Sequence, residues 1–99
     1  MAQVKFSRKY TYSSEHCFEA CKTGFPRVGF PIWKTREVAY LVMANREEDR
    51  KTISATALIM GYQAAEITLS LSGEGVSAEE LEGWMEKLFS AIEDNLPQK

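Results

Sequence analysis

The chain has 99 residues, of which 44% are hydrophobic and 26% charged, with a net charge of −2. That length is enough for a single domain and leaves no room for a second. The balance is close to globular averages, which disfavours intrinsic disorder, collagen-like repeats and coiled coil. The longest wholly apolar run, Val38 to Ala44, falls far short of the roughly 20 residues that cross a bilayer. The N-terminus runs straight into an alternating pattern without an apolar leader, so the sequence reads as that of a cytoplasmic protein with no membrane contact.

Residues 1 to 36 carry seven Lys or Arg against Glu15 and Glu19, while residues 37 to 99 carry five against twelve acids. The cations are dispersed, with no run longer than Arg8-Lys9. They are therefore expected to pair with the acidic C-terminal part rather than to form a nucleic-acid surface.

Val4, Phe6, Tyr10 and Tyr12 alternate with Lys5, Ser7, Lys9 and Thr11, the period of a strand with one dry face. Arg8 falls in the apolar phase and is expected at the strand's rim or in a polar spot beneath a loop. Ser13-Ser14-Glu15 supplies a helix start, and Lys22 with Gly24 a stop, predicting a short helix over 14 to 23. Gly24-Phe25-Pro26, Arg27-Val28 and Gly29-Phe30-Pro31 then form a near duplication that leads into Ile32 and Trp33. Its glycines and prolines predict a loop, with Phe25, Val28, Phe30, Ile32 and Trp33 available to cover something.

Arg36 to Asn45 is apolar in both phases, as expected of a central strand. A charged hairpin loop over 45 to 50 precedes a strand over 51 to 60, with Ile53, Ala55, Ala57 and Ile59 in one phase. Gly61-Tyr62-Gln63 reads as a turn, and Ala65 to Ser72 as a strand with Ile67, Leu69 and Leu71 inward. Ser77 and Glu80 make a capping box, and Leu81, Trp84, Met85, Leu88 and Ile92 form one stripe of a helix that ends before Pro97. The order strand, helix, three antiparallel strands, helix predicts an α+β fold, with a sheet of about four strands and both helices on one face.

His16, Cys17 and Cys21 are the chain's only His and Cys residues. On a helix Cys17 and Cys21 share a face about 5 to 6 Å apart at Cβ, too far for a disulfide. His16 points away, so the three do not make the four-ligand set of a structural zinc site. Cys17, Ala20 and Cys21 read instead as a buried helical stripe, and no cofactor or metal is expected. No nucleophile elbow, phosphate loop or metalloprotease motif is present.

The element order is similar to that of double-stranded-RNA-binding domains. Those use a basic final-helix N-terminus, whereas here that end reads Ser77-Ala78-Glu79-Glu80, against nucleic-acid binding. The strand, serine-capped helix, aromatic segment, strands and Trp84-bearing last helix also resemble a shortened helix-grip, START-like ligand-binding domain. That resemblance implies an apolar cavity between sheet and last helix. With about half the strands such a fold uses, a large cavity is not expected.

Three readings are open. In the first, the domain is a non-enzymatic interaction module whose segment Phe25 to Trp33 docks on a second copy or a protein partner, with Arg27 as the specificity contact. In the second, the same segment, with Phe30, roofs a small-molecule pocket against Tyr10, Tyr12 and Trp84, taking an apolar or anionic ligand through Arg8 or Arg27. The third is a thiol-based redox or metal protein built on His16, Cys17 and Cys21.

Overall fold

A computed structural model describes residues 2 to 61 and 64 to 96. The chain order is β1 (Ala2–Lys9), α1 (Ser14–Arg27), β2 (Ile32–Arg36), β3 (Leu41–Glu48), β4 (Lys51–Met60), β5 (Glu66–Gly73) and α2 (Ala78–Asp94). The strands form one antiparallel sheet in the order β1-β5-β4-β3-β2. The α+β class is as expected, with a fifth strand added by Ile32–Arg36.

Register puts one phase of every central strand on the same face. Val42 and Ala44 of β3 lie beside Ala57 and Ala55 of β4, which lie beside Leu69 and Leu71 of β5. All are buried, together with Ile53, Ile59 and Ile67. Both helices pack on this face, α1 against β3 and β4 and α2 against β1 and β5. The Ala residues of β3 and β4 leave space close to the sheet, which Cys17, Phe18, Cys21 and Phe25 of α1 help to fill within one core cluster.

The helix N-termini form as their sequences dictate. Ser13 Oγ accepts the His16 backbone N–H at 3.2 Å, and Ser77 Oγ accepts that of Glu80 at 3.1 Å. In α2, Leu81, Met85, Leu88 and Ile92 are buried with Phe89 beside them, and Trp84 is half-buried at the stripe's edge. The turn expected at Tyr62-Gln63 and the stop at Pro97 lie outside the described residues.

Two expectations are corrected. First, α1 does not stop at residue 23 but continues through Gly24, Phe25 and Pro26 to Arg27. Gly24 is a point of contact with α2: a Cβ built there would lie 3.1 Å from the backbone carbon of Ala91 and from the backbone nitrogen of Ile92. That close approach, with the complete burial of Phe25 one residue on, offsets the hydrogen bond that Pro26 cannot donate near the helix end. The chain leaves the helix at Val28 and Gly29, the latter with φ of +93°. Phe30 then turns inward, and Pro31 precedes the edge strand β2, where a missing ladder donor is tolerated. Phe25 and Phe30 are both 0% exposed. They belong to the main core rather than being surplus to it.

Second, the apolar run from Val38 is not wholly strand. Glu37 to Tyr40 form the β2–β3 turn, with Val38 fully exposed and Tyr40 at a φ of +47°. Strand β3 begins only at Leu41.

Candidate functional site

Alternation along β1 places Val4, Phe6 and Arg8 on the helix-covered face, opposite Leu71, Leu69 and Ile67 of β5. Because β1 is the sheet's edge, α2 lies over it without a further strand beyond. Glu82, Met85, Glu86 and Phe89 recur at one-turn intervals along α2 and meet Phe6 and Arg8 in a groove of about 190 Å³. Phe6 stays 57% exposed although it lies in the inward phase. Its ring meets that of Phe89 edge-on, with centroids 6.4 Å apart and planes at 72°.

A polar clamp closes one end of the groove. Arg8 Nη1 donates to Glu93 Oε2 at 2.9 Å, and Tyr10 Oη donates to the same oxygen at 2.8 Å. The Arg8 guanidinium also lies 4.4 Å from the Phe89 ring centroid. The expected rim position for Arg8 is therefore the observed one, with an acid of the last helix as partner. Burial works against the Arg8 charge, but its hydrogen bond with Glu93 and the negative charge there outweigh it and raise its pKa. Burial, then the hydrogen bond and charge of Glu93, push the Tyr10 phenol well above its ordinary range. Tyr10 is thus a fixed donor at neutral pH, and the triad ties β1 to the end of α2.

On the other side of α2, the Trp84 ring has the Arg46 guanidinium 4.4 Å and the Lys87 ammonium 4.5 Å from its centroid, and meets Phe30 edge-on at 5.6 Å. Arg46 Nη1 reaches the Gly29 carbonyl at 3.4 Å, and a Cβ on Gly29 would collide with that nitrogen. A larger groove of about 370 Å³ lies between α1 and the β2–β3 turn. Its aromatic floor is the Phe18–Tyr40 pair, but Glu15, Glu19, Lys22 and Glu37 line it, and Lys22 is paired to Glu19 at 3.0 Å. It is the more polar of the two, and the groove against α2 offers the more uncovered apolar surface.

The residues singled out from the sequence do not converge. Phe25 and Phe30 are core, Arg27 is exposed at the end of α1, and Trp33 is 57% exposed at a β-bulge in the edge strand β2. Tyr10 belongs to the Glu93 clamp, and Tyr12 is half-buried against the core. Of the proposed roof, Phe30 does meet Trp84, but as core packing rather than over a pocket. Sequence reasoning missed Phe6, Met85 and Phe89 as a lining, because an inward phenylalanine on a strand looks like core until that strand proves to be an edge.

Cys17 and Cys21 are buried and unbridged. Burial raises the Cys17 thiol to about 11 and raises Cys21 further, so neither is poised as a thiolate. Among the described residues, no three His, Cys, Asp or Glu side chains gather as a metal site, and no helix is long and apolar enough to cross a membrane.

No protein-family model matches the sequence, and no curated protein matches it. Solved structures do match the fold. The di-domain ARO/CYC protein BexL superposes with a TM-score of 0.70 at 11% identity, over 96% of this chain and 46% of its own. This chain thus spans about half of that protein. A protein from Chromobacterium violaceum gives 0.63 at 8% identity, with 100% of both chains covered. Norcoclaurine synthase of Thalictrum flavum, a point mutant in complex with a transition state analogue, gives 0.59 at 7% over 94% of each chain. The fold is a helix-grip fold. In this helix-grip chain the space between sheet and last helix is occupied by Leu69, Leu71, Leu81, Leu88, Phe89 and Ile92, all essentially without exposed surface. Beside that filled space, the groove at the β1 edge is open.

Proposed function

We propose that this helix-grip domain is a non-enzymatic cytoplasmic binder of a small, mainly aromatic molecule, held in the groove between β1 and α2. The observation that carries the reading is Phe6, a phenyl ring 57% exposed in the helix-facing phase of β1, whose other members are partly buried, and flanked by Met85 and Phe89. A volume of about 190 Å³ suits a ligand of one ring, since a cavity of about 150 Å³ accepts benzene. The fold neighbours support the small-molecule part of the reading: BexL is an ARO/CYC protein, and norcoclaurine synthase is seen with a transition state analogue. Saturation-transfer NMR against one-ring aromatic compounds tests it. Signals are expected with the native chain and lost in Phe6→Asp; no signal, or signals indifferent to Phe6→Asp, would reject the groove.

Trp33 favours a second reading, self-association or partner docking through the stretch between α1 and β2 and the start of β2 itself. Phe25 and Phe30 take no part in it, so the contact would rest on Arg27 and Trp33, both exposed. Sedimentation of the native chain beside Trp33→Ala tests self-association: a dimer that the variant dissolves supports it, and a monomer in both removes it.

A further inference from the structure

We infer that the groove selects a one-ring aromatic cation, an arylalkyl amine, over neutral and anionic molecules of the same size. The inference rests on the groove reading above and adds the charge of the ligand.

The electrostatics of the lining decide the sign. Among the described residues that line the groove Arg8 is the one cation, and its charge is already met by Glu93 at 2.9 Å while its planar face is stacked on Phe89 at 4.4 Å. Glu82 and Glu86 line the same groove and have no ion-pair partner among the described residues. Lys87, the next cation along α2, is turned to Trp84 at 4.5 Å. Lys5 and Lys9 lie in the outward phase of β1, on the far side of the sheet. An incoming anion would face two uncompensated carboxylates and an arginine already engaged.

Glu82 and Glu86 stand four residues apart on one helix, so their carboxylates repel each other, and a cation near both relieves that repulsion. The apolar floor supplies the other half of the site. The Phe6 ring has free surface, whereas Phe89 is covered by Arg8, so the ligand's ring would sit on Phe6 and Met85 with its ammonium at the helix rim. There the negative face of Phe6 adds to the attraction of the carboxylates. A rim ion pair in water is weak, and two of them with one cation–π contact give roughly a three- to tenfold preference, not an absolute one.

The test compares three molecules of one shape: 2-phenylethylamine, 2-phenylethanol and 3-phenylpropionate, titrated at pH 7 and low salt and followed by backbone amide shifts of the native chain. The amine is expected to move the amides of Phe6, Met85 and Phe89 with an affinity roughly three- to tenfold above that of the alcohol, and the acid to bind least. Substituting both carboxylates, Glu82→Gln with Glu86→Gln, on a solvent-facing helix surface should bring the affinities for amine and alcohol together. Salt at 1 M, where screening acts within about 3 Å, should do the same. If the alcohol binds the native groove as tightly as the amine, or the acid more tightly, charge selection is wrong and the groove stands. Failure of all three to move these amides would overturn the groove itself.

Discussion

Replacing Gly24 with alanine is expected to destabilise the protein even though alanine is the better helix former. On propensity alone the change would add about 1 kcal/mol. The new methyl, however, would lie 3.1 Å from two backbone atoms of α2 and 3.2 Å from the Ala91 carbonyl oxygen, and a backbone cannot rotate aside. To accommodate it α2 must retreat by a few tenths of an ångström, loosening a contact flanked by Phe25 and Ile92, both 0% exposed. Overpacking of this kind costs about 1–3 kcal/mol, which against the propensity gain leaves a net loss of about 0–2 kcal/mol, centred near 1. For a domain of this size each kcal/mol shifts Tm by about 4–8 °C. Gly83→Ala is the internal control: it sits in α2 with nothing within 4 Å of its Cβ position, so it should raise stability by about 0.5–1 kcal/mol. Circular dichroism melts of both variants beside the native chain decide the matter. A Gly24→Ala protein stabilised as much as Gly83→Ala would refute the closeness of the helices.

Three further outcomes are expected. Asp49 and Arg50 form a two-residue hairpin turn with φ of +48° and +66°, so Asp49→Asn with Arg50→Gly should stabilise by about 0.5–1 kcal/mol; an unchanged urea midpoint would contradict the strained turn. Tyr10 and Cys17 have folded pKa values raised above their unfolded ones, so their contribution is intact below about pH 9 and is lost as pH rises further, Cys17 through about 11. The urea midpoint should fall steeply above about pH 9, less so in Tyr10→Phe, and an equal fall in both would dissociate Tyr10 from it. Both thiols should react with a disulfide reagent at about pH 8 only as fast as the domain opens, and rapid labelling in native buffer would show that they are not enclosed.

Much of the fold was legible because local chemistry and tertiary packing agree in it. The capping serine and the stripe of Leu81, Met85, Leu88 and Ile92 specify α2, and the alternation of Ile67, Leu69 and Leu71 specifies β5. The segment from Gly24 to Trp33 misled because its local signals and its packing oppose each other. Gly24 and Pro26 are helix stops by intrinsic preference, yet one is the contact with α2 and the other is carried by burial of its neighbour Phe25. The candidate site was least legible. That Phe6 is uncovered depends on β1 lying at the sheet's edge, and that Arg8 is spoken for depends on Glu93, 85 residues away. Neither fact has a local signature, although an arginine in the apolar phase of β1 did mark where a polar partner had to be.

The most direct test of a binding site between β1 and α2 is where a small aromatic molecule lands on the protein. Titrating 2-phenylethanol, which carries no charge, into the isotopically labelled native chain should shift amides around Phe6, Met85 and Phe89, with cross-relaxation from the ligand ring to the Phe6 side chain. Shifts confined to Phe18 and Tyr40, or to Trp33, or none at all, would contradict that site.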